Sequence, residues 1–147
     1  MIALASDHGG FALKEAVRAH LEAKGETVQD FGTFSTESCD YPDFAEQAAN
    51  AVAQGRCQQG IVICTTGIGV SIVANKVKGI RCALCTSTTQ ARLTRLHNNA
   101  NMLALGAGIT GQNLALDIVD TFLATAFSNE ERHVRRVQKI AKIEEKN

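Results

Sequence analysis

An excess of charge of either sign is missing from this chain of 147 residues, where 15 basic side chains meet 15 acidic ones. That balance argues against a general nucleic-acid or membrane surface. Apolar runs long enough to span a bilayer are missing too, and Met1–Leu4 opens a strand rather than a signal peptide. The five cysteines, Cys39, Cys57, Cys64, Cys82 and Cys85, are an odd number without framework spacing. Reduced thiols in a cytoplasmic protein are therefore expected. Proline occurs once, at Pro42, and no repeat, low-complexity tract or linker divides the chain. With hydrophobic residues at 45% and charged ones at 20%, residues 1–147 read as a single globular domain with a sizeable core.

The stretch Gly60–Lys76 organises what remains. Gly60 to Ile63 is a short apolar, β-branched run that suits a buried parallel strand. Cys64-Thr65-Thr66-Gly67-Ile68-Gly69 follows where a strand should turn, and Val70 to Lys76 has apolar residues at helical spacing. A strand, a glycine-bearing turn and a helix N-terminus make an anion site, because unpaired N–H groups and the helix dipole share one concavity. A cysteine at the mouth of such a turn is expected to ionise more readily than a free thiol. A dinucleotide fingerprint is incomplete here, since Ile72 stands where its third glycine belongs. Cys82-Ala-Leu-Cys85 spells a CxxC motif but lies inside the apolar run Ile80–Cys85, which reads as strand packing.

In chain order, the pattern predicts a strand at Ile2–Ser6 and a helix from Phe11 to about Lys24, with Leu13, Ala16, Val17 and Leu21 on one face. A second strand covers Thr27–Phe31, and Tyr41-Pro42 starts a helix reaching about Gln54. Strand four is expected at Ile80–Cys85, a helix from Gln90 to about His97, and strand five at Met102–Leu105. A long helix from Gln112 to Phe127 and a last one from Glu130 to about Lys146, capped by Ser128 or Asn129, complete the chain. Strands alternating with helices imply a parallel sheet covered on both faces. Asp7 and His8 then sit at a strand's carboxyl end, where such sheets bind ligands; a helix cap and a solvent-exposed loop residue are the plainer readings of the pair. Arg132, His133, Arg135 and Arg136 crowd the start of the last helix, where cations oppose the dipole. They read either as a solvated basic face or as a clamp on a phosphate or carboxylate.

Taken together, SDHGGF at Ser6–Phe11, DFGT at Asp30–Thr33, DYPD at Asp40–Asp43, CTTGIG at Cys64–Gly69, ANKVKGIR at Ala74–Arg81, HNNAN at His97–Asn101, LALDIVDTFL at Leu114–Leu123 and RHVRRV at Arg132–Val137 resemble the ribose-5-phosphate isomerase B / galactose-6-phosphate isomerase (RpiB/LacAB) family. The resemblance implies a three-layer, doubly wound, flavodoxin-like fold with a five-stranded parallel sheet. It implies isomerisation of aldose and ketose phosphates without metal or cofactor. It also implies a homodimer or dimer of dimers whose sites are shared, the C-terminal arginines coming from the partner subunit.

Residue by residue, the resemblance makes Cys64 the base. A second branch of the family uses a glutamate that would fall at Val70. Thr66 matches a proton relay, and the backbone N–H groups of Gly67, Ile68, Gly69 and Val70 the enediolate donors. His97 matches the ring-opening acid/base, Asp7 and Asn98 hold sugar hydroxyls, His8, Arg132 and Arg136 bind phosphate, and Tyr41 lines the site. Two positions depart from the family pattern, Thr65 where glycine is usual and Gly108 where arginine is common, which suggests a shifted sugar preference. The leading expectation is interconversion of ribose 5-phosphate and ribulose 5-phosphate. A hexose-phosphate isomerase acting on allose or galactose 6-phosphate, and a non-catalytic phosphosugar-binding module, are the alternatives.

Overall fold

Every residue of the strand Ile2–Ser6 (β1) is buried, as an apolar segment covered on both faces must be. The computed structural model describes residues 1–147. After β1, a single 3₁₀ turn at His8–Gly10 leads into α1 (Phe11–Ala23), followed by β2 (Val28–Asp30), α2 (Tyr41–Ala53), β3 (Gln59–Cys64) and α3 (Ile68–Asn75). The second half runs β4 (Cys82–Leu84), α4 (Thr88–Asn98), β5 (Met102–Gly106), α5 (Gln112–Ala124) and α6 (Glu131–Glu145). All strand pairs are parallel, in the order β2-β1-β3-β5-β4.

Leu13, Val17 and Leu21 of α1 and Ala115, Ile118, Val119 and Phe122 of α5 pack on one face with Ala91 of α4. The alanines of α2, with Val70 and Ala74 of α3, cover the other. This is the expected three-layer, doubly wound, flavodoxin-like architecture, with β5 lying inside and β4 forming the edge. From β1 the chain crosses toward β2, and from β3 it crosses the opposite way. The carboxyl ends of β1 and β3 therefore flank the switch point where open α/β sheets keep their ligand crevice.

Most boundaries move by a residue or two from the sequence reading, β2 being shorter at both ends, and three of the differences have a plain physical cause. Strand β4 is only three residues long because the Arg81 N–H is taken by Asn101 Oδ1 at 2.8 Å, which delays the ladder to Cys82. Helix α5 stops at Ala124 because Thr125 turns extended, gives its carbonyl to Arg95 Nε at 2.9 Å and bonds Thr121 O through its hydroxyl. The last helix has Glu130 as its cap residue without a side-chain bond; Ser128 Oγ accepts the Glu130 N–H from outside, and Asn129 is the turn residue at φ +58. Of the CxxC pair, Cys82 opens β4 and Cys85 lies one residue past its end, still bonded to β5 through its N–H to Ala104 O at 3.2 Å. Cys82 faces the α2–α3 layer and Cys85 the α1–α5 layer. Burial pushes the Cys82 thiol up to about 12 and the Cys85 thiol up to about 11, so both stay protonated at neutral pH.

One charged side chain lies wholly inside. Lys14 is 0% exposed, with its Nζ 2.5 Å from Asp30 Oδ2, 3.2 Å from Glu15 Oε1, and about equally far from the Phe11 and Phe34 rings. The pair fastens α1 to the end of β2, and Asp30 Oδ1 accepts the Gly32 N–H to shape the following loop. Removing the cation alone leaves Asp30 largely buried with only the partly exposed Arg18 Nε, 4.0 Å away, as its counter-charge, which costs more than the pair itself contributes. Lys14→Met is expected to lower stability by about 3 kcal/mol in urea unfolding; an unchanged midpoint would count against the role given to the pair.

Candidate active site

Cys64 ends β3, pairs with Gly106 across the sheet and is 6% exposed. The chain then reverses through Gly67, whose φ of +78 favours a residue without a side chain. That turn aims the Gly67 N–H at Cys64 Sγ, 3.2 Å away, and the Ile68 N–H at Thr66 Oγ1, also 3.2 Å away. The N–H groups of Gly69 and Val70, in the first turn of α3, have no acceptor within the chain and are the two that remain for a ligand. The helix is short and apolar, and its positive end faces the sulfur.

Asp7 and His8 stand opposite, at the end of β1. Asp7 is the cap the sequence suggested: Oδ1 accepts the Gly10 N–H at 3.0 Å, while its own N–H donates to Ile63 O at 3.3 Å, which ties the turn to β3. His8 is exposed, and its Nδ1 accepts the Cys39 N–H at 3.2 Å. An accepting Nδ1 places the proton of the neutral ring on Nε2, a donor left for a ligand. Tyr41 opens α2 with Pro42 behind it, and its ring covers Gly69 so closely that a β-carbon there would overlap it. Asp7, His8, Tyr41, Cys64, Thr66 and Gly67–Val70 thus come together around one crevice.

His97, Asn98, Arg132 and Arg136 form a second group. They line a cavity of about 450 Å³ with His133. His97 and Asn98 end α4, which runs against the strands, and Asn98 O accepts Arg81 Nε at 2.9 Å just ahead of β4. The group therefore sits at the amino ends of the strands, whereas Cys64 sits at their carboxyl ends, about 13 Å of strand away. Within one chain the two groups do not meet. Arg132 is 59% exposed and pairs only with the equally exposed Glu130, and Arg136 is exposed without an ion pair; such a surface pair is worth little.

His133, read from the sequence only as one member of the basic cluster on the last helix, is instead the buried centre of this second group. It is 6% exposed, and its ring centroid lies 4.6 Å from that of His97. Arg132 Nε donates to its Nε2 at 3.4 Å, so Nδ1 carries the proton and donates to Ser128 Oγ at 2.6 Å. The available signal was its place on one helical stripe with Val137 and Ile140. The neighbouring asparagines have structural duties: Asn99 takes the left-handed cap of α4 at φ +47, and Asn101 clamps Gly79 and Arg81.

Burial, and after it the nearby His97, Arg132 and Arg136, hold the His133 pKa below the ordinary histidine value, while Glu130 opposes them. In the unfolded chain the same ring takes a proton at about pH 6.5. Between that value and the lowered one, the unfolded state binds a proton the folded state refuses, so stability falls as pH falls. His133→Asn is expected to lose less stability than the unsubstituted chain between neutral pH and pH 5 in urea unfolding. Parallel losses would contradict this.

A family model described as Ribose/Galactose Isomerase matches residues 2–140. Ribose-5-phosphate isomerase B of Escherichia coli is 46% identical over 145 residues, covering 99% of this chain and 97% of that one. D-erythrulose-4-phosphate isomerase of Pectobacterium atrosepticum is 43% identical over 127 residues, covering 86% and 84%. The solved structure of Clostridium thermocellum ribose-5-phosphate isomerase B superposes with a TM-score of 0.97 at 54% identity, over 99% of this chain and 97% of that one. With its fold, its sulfur-bearing crevice and these relatives in agreement, the chain belongs to the Ribose/Galactose Isomerase family.

Proposed function

We propose that this protein is an aldose–ketose isomerase that interconverts D-ribose 5-phosphate and D-ribulose 5-phosphate, each site being completed by a second copy of the chain. The observation that carries the chemistry is the Cys64 sulfur, held under the Gly67 N–H beside two unpaired N–H groups. The E. coli and C. thermocellum relatives, both ribose-5-phosphate isomerases B, supply the sugar. A hexose phosphate is the second reading, favoured by the family's inclusion of galactose isomerases.

In this reading His97 opens the sugar ring by moving a proton at the ring oxygen. The Cys64 thiolate then takes the proton from C2 of the aldose, and the electron pair forms the C1–C2 enediolate. Oxyanion charge develops against the Gly69 and Val70 N–H groups, fixed donors that need no reorganisation. Thr66 Oγ1 passes a proton between the two substrate oxygens, and the sulfur returns its proton to C1. Asp7 and Asn98 hold hydroxyls, Tyr41 walls the crevice, and His8 with Arg132 and Arg136 grips the phosphate.

His97, Asn98, Arg132 and Arg136 cannot reach Cys64 in their own chain, so a partner must bring them. Surface chemistry beside the crevice favours this. Ile68 and Ile72, one turn apart on α3, are 52% and 55% exposed, and Leu84 of edge strand β4 is 36% exposed while touching Gly67. Exposed apolar side chains around a site mark where another protein sits. The arginine cluster that opposes its own helix dipole gains its return from the phosphate of the other chain's substrate.

Two experiments test this reading. Cys64→Ala should lose turnover while retaining sugar-phosphate binding, and His97→Ala should be nearly inactive on ribose 5-phosphate. Unfolded together and refolded as a mixture, the two variants should recover about a quarter of full activity, because half the pairs are mixed and each mixed pair holds one intact site; no recovery would place the site within one chain. Arg136→Ala should raise KM roughly tenfold or more with little change in kcat, since phosphate contacts persist from ground to transition state. A loss confined to kcat would assign that arginine to the chemical step instead.

A further inference from the structure

Thr65 follows the sulfur-bearing residue directly, and its side chain occupies a place that the neighbouring turns have left empty. Its Oγ1 stands where a β-carbon on Gly9 would have to be, and its Cγ2 lies 3.0 Å from where one on Gly108 would be. Gly9 belongs to the turn after β1 and Gly108 to the turn after β5. One threonine thus fills the gap between both, with its two branches pressed against opposite walls. Its backbone is not among the positive-φ positions, so the β-carbon narrows the space without straining the turn.

The walls are fixed. Gly108 N donates to Thr65 O and Ala107 N to Cys64 O, both at 2.8 Å, and Asp7 N donates to Ile63 O. A β-branched side chain has little χ1 freedom of its own, so the wedge cannot swing aside. Asp7 Oδ1 lies 3.4 Å from the same Gly9 point, so the wedge and the Asp7 carboxylate border one small space. His8 is adjacent to Gly9 and Cys64 is adjacent to Thr65. A sugar phosphate stretched from the sulfur toward His8 therefore passes over Thr65.

We propose that Thr65 is a specificity-determining residue that limits the carbon-chain length of the sugar phosphate, favouring four- and five-carbon chains over six. This rests on the isomerase reading above for the direction in which the substrate lies. With the reacting end held at the sulfur and the phosphate held at His8, each added carbon must arch out of line, and the wedge removes the floor into which it could arch. The family includes proteins named for erythrulose, ribose and galactose, so chain length is a property that its members vary.

The test uses open-chain polyol phosphates, which bind but cannot isomerise: erythritol 4-phosphate, ribitol 5-phosphate and sorbitol 6-phosphate, titrated calorimetrically against the unsubstituted protein, Thr65→Gly and Thr65→Ala. The unsubstituted protein should bind the four- and five-carbon probes more tightly than the six-carbon one. Thr65→Gly should raise affinity for the six-carbon probe relative to the five-carbon one by about tenfold or more, the range for a methylene-sized change in a pocket. Thr65→Ala, which keeps the β-carbon and loses both branches, should move the ratio the same way by less and serves if the glycine variant does not fold. A ratio within twofold of the starting value in both variants overturns the proposal, as does an equal loss of affinity for all three probes. Turnover of ribose 5-phosphate by the unsubstituted protein, measured separately, judges the isomerase reading without touching this ratio.

Discussion

A single hydrogen bond, from the Gly67 N–H to the Cys64 sulfur, sets the terms for the rest of the molecule. It exists only because the chain turns left-handed at Gly67 directly after β3 and enters α3 at once. A side chain at Gly67 would meet Leu84 at 2.6 Å and the Leu105 carbonyl carbon at 2.8 Å, so the turn is as constrained by its surroundings as by its backbone. The sheet supplies the rigidity: β3 is the central strand, buried along nearly its whole length and paired on both sides. A reactive group placed there is held by the best-packed part of the fold, while its mouth faces the loops.

Small residues then decide which side chains can reach that mouth. Ala45, Ala48, Ala49 and Ala51 of α2 are essentially inaccessible, so this helix lies close against the sheet and α3. The closeness carries Tyr41, at the first position of α2, onto Gly69. Larger residues along that stripe would lift the helix and withdraw the ring. On the other face, larger side chains such as Phe122 and Leu21 fill the space, and the only buried cation, Lys14, is matched by Asp30. The two layers thus differ in kind: one is thin, built on alanines, and positions the site, the other is filled by larger apolar side chains.

Much of this could be read from residues alone, and the exceptions have physical causes. Strand β1 and helix α2 are where their apolar patterns place them, because burial on defined faces dominates both. The edge strand β4 and the end of α5 are shorter than their patterns suggest, because side chains of Asn101 and Arg95 capture backbone groups that a periodic rule assigns to the ladder or helix. Of the residues matched for the site, those around Cys64 converge as expected. The division that puts His97 and Asn98 with the arginines at the far end of the strands was not legible, since it depends on which way α4 runs relative to the sheet. His133 was hidden for a similar reason: a basic cluster reads as surface until a second helix is known to cover one member of it.

That division between strand ends has a kinetic consequence. If the His97 group of one copy serves the sulfur of another, a freshly folded chain is inert, and catalysis begins only with encounter. On dilution below the dissociation constant of the pair, specific activity would then fall in proportion to protein concentration, and total activity faster than concentration itself. Output would rise with roughly the square of the amount synthesised while copies are scarce, and linearly once they are plentiful.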